Sequence, residues 1–202
     1  MKTRLQKIFQ RRYAFPEELL FEKFFLAQEI FENYGEYFLK LKDFVELIKK
    51  YEKAIEISNK RMEEFQSFSE CYACTVIEEK GCCKAGLENE ATVAIILLNF
   101  LLKKELPKER EVPGRCFFVG PVGCKLFARP PLCREFFCRR LLDTFKQEEH
   151  VLITQAIAEE LTLQGVLVRY IKKELEFLTG EFLYELDITG YSSPGGKWTW
   201  KE

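Results

Sequence analysis

The chain has 202 residues, 31 basic and 32 acidic, and a net charge of −1. That length can bury a sizeable core without cross-links, and the charge balance supplies no bulk attraction for nucleic acid or for a polyacidic partner. Nineteen phenylalanines point to a core or interface rich in aromatic surface.

The first residues carry Lys2, Arg4, Lys7, Arg11 and Arg12 with no acid. They lack the apolar stretch of a secretory signal. A helix turn packed loosely on the domain is the simpler reading, and a basic arm that docks on a partner or an anionic membrane surface is the rival. The longest apolar run, Ala91 to Leu102, falls short of the roughly 20 residues that cross a bilayer. No transmembrane segment is expected, and the protein is read as soluble and cytoplasmic.

Pro16 followed by Glu17 and Glu18 suits a first helical turn, because proline fits the opening position and carboxylates fit the positive end of the dipole. A helix is expected to about Asn33, with Gly35 interrupting it. A second helix follows, with Phe38, Leu41, Val45, Ile48, Ile55 and Met62 on one stripe and Glu52 and Asn59 as polar exceptions. Residues 1–66 thus form an N-terminal helical region.

Region 67–140 is different. The helical pattern breaks at Ser67, and a helix apolar on every face is expected between Leu87 and Glu105. A charged connector ends at Pro113 and Gly114. Two short strands around Gly120-Pro121-Val122-Gly123 would bring Cys116 toward Cys124. A helix is expected to begin across Arg134 to Arg140. Region 141–179 returns to helical spacing, with Ile157, Leu161, Val168, Ile171, Leu175 and Leu178 on a stripe packing against the N-terminal helices. There Gly165 is a weak point or a close packing contact. The tail 180–202 holds a candidate strand (EFLYELDI), a loop (TGYSSPGG) and an aromatic end (WTW).

All eight cysteines lie in the middle region, as Cys71 and Cys74, Cys82 and Cys83, Cys116 and Cys124, and Cys133 and Cys138. A structural core scatters cysteine. Close pairs separated by turn residues look like ligands gathered around metal, and in a reducing compartment paired cysteines serve metal or catalysis more often than disulfides. Two Cys-x-x-Cys units can close a four-thiolate zinc site or supply an iron-sulfur cluster, and eight thiols would complete two sites. Adjacent Cys82 and Cys83 point in divergent directions, so they would more easily serve different sites. Four thiolates outweigh a divalent ion in charge. Arg129, Arg134, Arg139 and Arg140 either offset that excess through hydrogen bonds to sulfur or are ordinary surface arginines.

The order of these residues resembles the YkgJ-type proteins, a zinc- or iron-chelating domain with a CxxCxxCC signature that also occurs in the flagellin lysine-N-methylase group. The matching positions are Cys71, Cys74, Cys82, Cys83, Cys116, Gly123, Cys124, Arg129, Pro130, Cys133, Arg134, Phe136 and Cys138. Here seven residues separate Cys74 from Cys82, where the signature has two. The resemblance implies metal or an iron-sulfur cluster and names no reaction.

Other chemistry is thin. His150, the one histidine, reads as an exposed helix residue in preference to a ligand or base, which leaves no Cys-His hydrolase and no histidine pair for a zinc protease. No phosphate-binding Gly-x-x-x-x-Gly-Lys-Ser/Thr loop occurs. The expected fold is mainly α, a helical bundle flanking a cysteine-rich metal-binding lobe with a short β-hairpin. The expected function is an iron-sulfur protein holding one or two clusters of 4Fe-4S type, shielded by Phe117, Phe118, Phe136 and Phe137, that transfers electrons or serves as a redox accessory to a protein partner or larger complex. A structural zinc module for protein interaction is the alternative, and a cluster-dependent protein-modifying enzyme a third reading. Nucleic acid is not an expected partner.

Overall fold

In the computed structural model, described here over residues 16–180 and Leu186, two long helices and a short turn set the frame. The expectations for the basic arm, and for the strand, loop and aromatic end after Gly180, lie outside those residues, Leu186 apart. Helix α1 (Pro16–Phe38) starts where the Pro-Glu-Glu signal places it. It passes through Gly35 without the expected interruption. A helix-interior glycine costs only about 1 kcal/mol, and the missing side chain leaves room for Phe31. A β-carbon at position 35 would lie 2.8 Å from the Phe31 ring, which itself packs on Phe100. The break falls instead at residues 39–41, where Leu41 is extended, and α2 (Lys42–Glu64) follows.

The buried face of α2 is Phe44, Ile48, Tyr51, Ala54, Ile55, Ser58 and Met62. It is turned partly away from the expected stripe, so that Tyr51 and Ser58 face inward. The polar exceptions find partners at the edge: Glu52 accepts from Lys104 at 2.9 Å and Asn59 from Arg134 at 2.8 Å.

After α3 (Ser67–Tyr72), which continues as a π-helical turn over Ala73–Ile77, comes a 3-10 turn (Leu87–Glu90) and then α4 (Val93–Leu101). Thr92 caps α4 by accepting the Ile95 N–H. The helix is shorter than its expected span to Glu105, because Lys103 adopts a positive φ and turns the chain. Its apolar residues are buried on all sides, as their unbroken run implies. Inside it, Asn99 donates to the carbonyls of Ile95 and Ala128 and accepts the Ala128 N–H at 3.0 Å.

The chain then forms the expected hairpin, β1 (Val119–Gly120) against β2 (Gly123–Cys124), with Val119 opposite Cys124. Two short helices follow, α5 (Pro131–Glu135) and α6 (Arg139–Thr144); the second begins within Arg134–Arg140, where a helix start is expected, and the first is an addition to that expectation. Phe136 is extended and Cys138 takes the residue before α6. Phe145 is also extended, so the long C-terminal helix α7 (Gln147–Thr179) starts later than expected. The Glu149 carboxylate accepts the Lys146 N–H at its start and Gly180 ends it with φ 71. A β-carbon at Gly165 would meet only Arg169 Nη1, at 3.6 Å, so this glycine is not a close packing contact.

The fold is mainly helical, with one two-stranded antiparallel sheet. Helix α7 packs along α2, and α1 packs on α4. Region 67–140 is not a lobe apart from the bundle. Its α4, Phe117, Phe118, Leu126 and Ala128 share one continuous apolar core with α1, α2 and α7. Among the described residues, α7 alone is long and apolar enough by composition to cross a membrane. Here its inward face carries Glu160 and Gln164 beside Ile153, Ile157, Leu167, Ile171 and Leu175.

Candidate functional site

Cys71 and Cys74 stand on helical turns, not on the loop expected from the pattern break at Ser67. Gln66, at φ 61, makes the sharp bend from α2 into α3, and Cys74 falls in the π-helical turn that extends α3. Such turns are rare and recur at functional sites. The chain then reverses: Lys80 N–H bonds back to the Cys74 carbonyl, and Gly81, at φ 89, leaves the space in which a β-carbon would lie 3.1 Å from the Cys74 sulfur. Only glycine adopts that backbone readily.

The Cys82-Cys83 segment is fastened from its other side. Buried Arg115 donates to the Lys80 carbonyl at 2.9 Å, Ala85 N–H bonds Gly114, and Cys116 N–H bonds the Cys83 carbonyl at 3.0 Å. Cys116 is in turn tied to the hairpin, since Val119 N–H bonds its carbonyl. Cys124 sits opposite Val119, Cys133 lies in α5 and Cys138 precedes α6, which packs against α3.

Seven of the eight cysteines, all but Cys74, line a single cavity of about 380 Å³, and all eight are free thiols. The remaining lining is mostly apolar, including Phe68, Phe118, Leu126 and Leu141, with Arg129 as the cation. Val122 (88% exposed), Leu132 (42%) and Phe136 (50%) extend this lining onto the surface.

Burial pushes the Cys71, Cys116 and Cys133 thiols toward their protonated forms. It raises Cys71 to about 11 and Cys133 to about 12, and it raises Cys116 further still, with Glu88 adding to the effect. Cys82 moves the other way, because the Cys83 thiol hydrogen-bonds to it and favours its thiolate. The Arg129 charge opposes the rise at both Cys71 and Cys133. A bound cation would displace these protons, so uptake of metal and loss of protons are coupled.

The four arginines expected beside the thiols part company. Arg129 lies over the Phe68 ring at 4.9 Å and donates to the carbonyls of Leu126 and Cys124, at 3.0 and 3.5 Å. It faces the cavity. Arg134 does not: its guanidinium turns into the bundle, where it bonds Glu160 at 2.7 Å, Ser58 at 3.0 Å, Asn59 and the sulfur of Met62. Its side chain and that of Glu160 are both fully buried. Arg139 and Arg140 pair with carboxylates, Asp143 for the first, Glu70 and Glu78 for the second.

The four phenylalanines expected as a shield also divide. Phe118 and Phe136 line the cavity. Phe117 packs on Phe21 and Phe24 in the main core, and Phe137 packs on Phe145 and His150. His150 is half-buried and stacked on Phe145, in place of the expected exposed position. Phe68 joins the lining unforeseen. Arg115 and the Arg134 partner Glu160 were also hidden, although a glutamate on the apolar stripe of α7 is a signal that it needs a buried cation.

The donor set can be tested against what it would hold. Thiolates bound tetrahedrally at about 2.3 Å from zinc stand about 3.8 Å apart. Among the described residues no three cysteine, histidine, aspartate or glutamate side chains lie close enough to hold a single metal ion. The thiols instead ring an open volume. No protein-family model, curated protein or solved structure matches the chain.

Proposed function

We propose that this is an iron-sulfur protein, resembling the YkgJ-type domain in the order of its cysteines, whose thiols hold clusters of 4Fe-4S type and which exchanges electrons with a protein partner in a reducing compartment. One observation carries the reading: seven of the eight thiols line a common, largely apolar cavity of about 380 Å³. When bound, a cluster supplies one-electron exchange at a potential set by burial and by hydrogen bonds to its sulfurs.

The chain's own residues supply the setting. Phe68, Phe118 and Leu126 limit water around the thiols. Arg129 lines the cavity and its positive charge opposes the rise at Cys71 and Cys133, so it would offset an excess of thiolate charge. Exposed Val122, Leu132 and Phe136 give a partner an apolar surface beside the cavity. Electron exchange needs such close approach and no substrate pocket.

Anaerobic purification followed by iron, sulfide and zinc analysis tests the reading. A brown protein with broad visible absorption and equal iron and labile sulfide is expected. A colourless protein with stoichiometric zinc would replace the reading with the structural zinc module. A metal-free protein would end both.

A further inference from the structure

Seven residues stand between Cys74 and Cys82 where the cysteine signature has two, and the fold fastens that longer segment at two points with arginines from elsewhere in the chain. At one, buried Arg115 donates to the Lys80 carbonyl at 2.9 Å. The other is Glu78, which closes the π-helical turn with its N–H on the Ala73 carbonyl, five residues back. Residues seven apart share a face of a regular α-helix. A turn wider by one residue moves that relation to eight, so Glu70, just before Cys71, and Glu78, beyond Cys74, come to one face.

Arg140 meets both carboxylates. Its Nε donates to Glu70 Oε2 at 2.8 Å and its Nη1 to Glu78 Oε1 at 2.6 Å, a use of the planar fork that a lysine ammonium matches poorly. Arg140 lies in α6, two residues after Cys138, and α6 packs on α3. Each of these helices has only six residues, too few to hold its shape alone. Cys71 and Tyr72 of α3 line the cavity, as do Cys138 and Leu141 at α6, so the seam between the two helices is part of the cavity wall. Strand β2 also reaches α3, which makes α3 the element on which the hairpin and α6 meet.

We infer that Arg140 is a positioning residue of the thiol cavity: with Glu70 and Glu78 it straps α6 to α3 and keeps the seam between Cys71 and Cys138 closed to solvent. The three side chains are 36%, 28% and 38% exposed. The strap therefore lies on the outside of the wall, where salt weakens it. That the closed seam retains a bound group rests on the metal-binding reading above; the strap itself rests on the ion pairs alone.

The test uses the full chain, purified anaerobically with its metal, and follows loss of metal to a chelator together with iodoacetamide modification of each cysteine. Arg140→Gln should speed both by about three- to tenfold, with Cys71 and Cys138 modified ahead of Cys116. Its urea midpoint should stay within about 0.5 M of the wild type, because opening a seam is a local event. Glu70→Gln with Glu78→Gln should match it, and adding Arg140→Gln to that pair should change nothing further. Arg140→Lys should recover part of the protection. In roughly 1 M sodium chloride, where charges are screened within about 3 Å, the wild type should behave like Arg140→Gln, whose rates salt leaves unchanged. Equal rates in wild type and variants, additive effects of the three changes, or early modification of Cys116 would overturn the strap. Wild type purified without metal would overturn the metal-binding reading instead, and the order of cysteine modification would then decide the strap by itself.

Discussion

Replacing Glu160 by alanine removes the carboxylate that balances a guanidinium enclosed by protein. The side chains of Arg134 and Glu160 have no solvent exposure and meet at 2.7 Å. Ser58 donates to the same carboxylate, and Arg134 spends its remaining donors on Ser58, Asn59 and Met62. Truncating one member of a buried pair strands the other charge and costs about 3–5 kcal/mol. At a urea slope near 2 kcal/mol per molar, the unfolding midpoint should fall by roughly 1.5–2.5 M. The paired replacement Arg134→Met with Glu160→Leu removes both charges and restores apolar volume, so it should unfold within about 1 kcal/mol of the wild type or above it. Urea unfolding followed by far-ultraviolet circular dichroism measures both. Because Arg134 follows Cys133 in α5, Glu160→Ala should also speed alkylation of Cys133. A loss under about 1 kcal/mol for the single variant, or an equal loss for the pair, would refute the view that α5 is anchored by this ion pair.

Three further outcomes are expected. Asn99→Leu keeps the volume but strands the N–H and C=O of Ala128, both bonded to Asn99 at 3.0 Å; it should cost about 2–4 kcal/mol in the same urea assay, and a loss below 1 kcal/mol would contradict the role. Lys23 is 1% exposed and bonds the carbonyls of Asn89 and Ala91; burial lowers it to about 7, opposed by Glu90 and Glu88. Its folded value lies below its unfolded one, so the unfolded chain binds more protons above pH 7 and stability should rise with pH. Relative to Lys23→Met, the wild type should gain about 1.5 kcal/mol between pH 7 and 8.5, and parallel pH profiles would contradict this. Gly81→Ala forces a side chain into φ 89 and against the Cys74 sulfur; a loss of about 1–3 kcal/mol with reduced metal retention is expected, and unchanged metal content would show that Cys74 tolerates the shift.

Much of the helical frame was legible in local pattern. Pro16-Glu17-Glu18 marked the start of α1, the unbroken apolar run marked α4 as buried on all sides, and Gly120-Pro121-Val122-Gly123 marked the hairpin turn. Boundaries failed where tertiary contact overrode propensity. Phe31 over Gly35 kept α1 intact, and the extended Phe136 and Phe145 broke helices that residue preferences would have continued. Arg134 beside Cys133 looked like a partner for sulfur. Adjacent residues on a helix point apart, and Arg134 met Glu160, 26 residues away in the chain.

The sequence by itself determined that eight thiols would crowd one region between amphipathic helices, since composition and periodicity are properties of neighbouring residues. The tertiary structure alone decided that the thiols surround a shared cavity, that Cys138 returns to Cys71, and that Arg129 rather than Arg134 faces them. Those outcomes depend on how distant segments pack, and the buried charges of Arg134 and Glu160 must find each other across the core because water cannot reach either one.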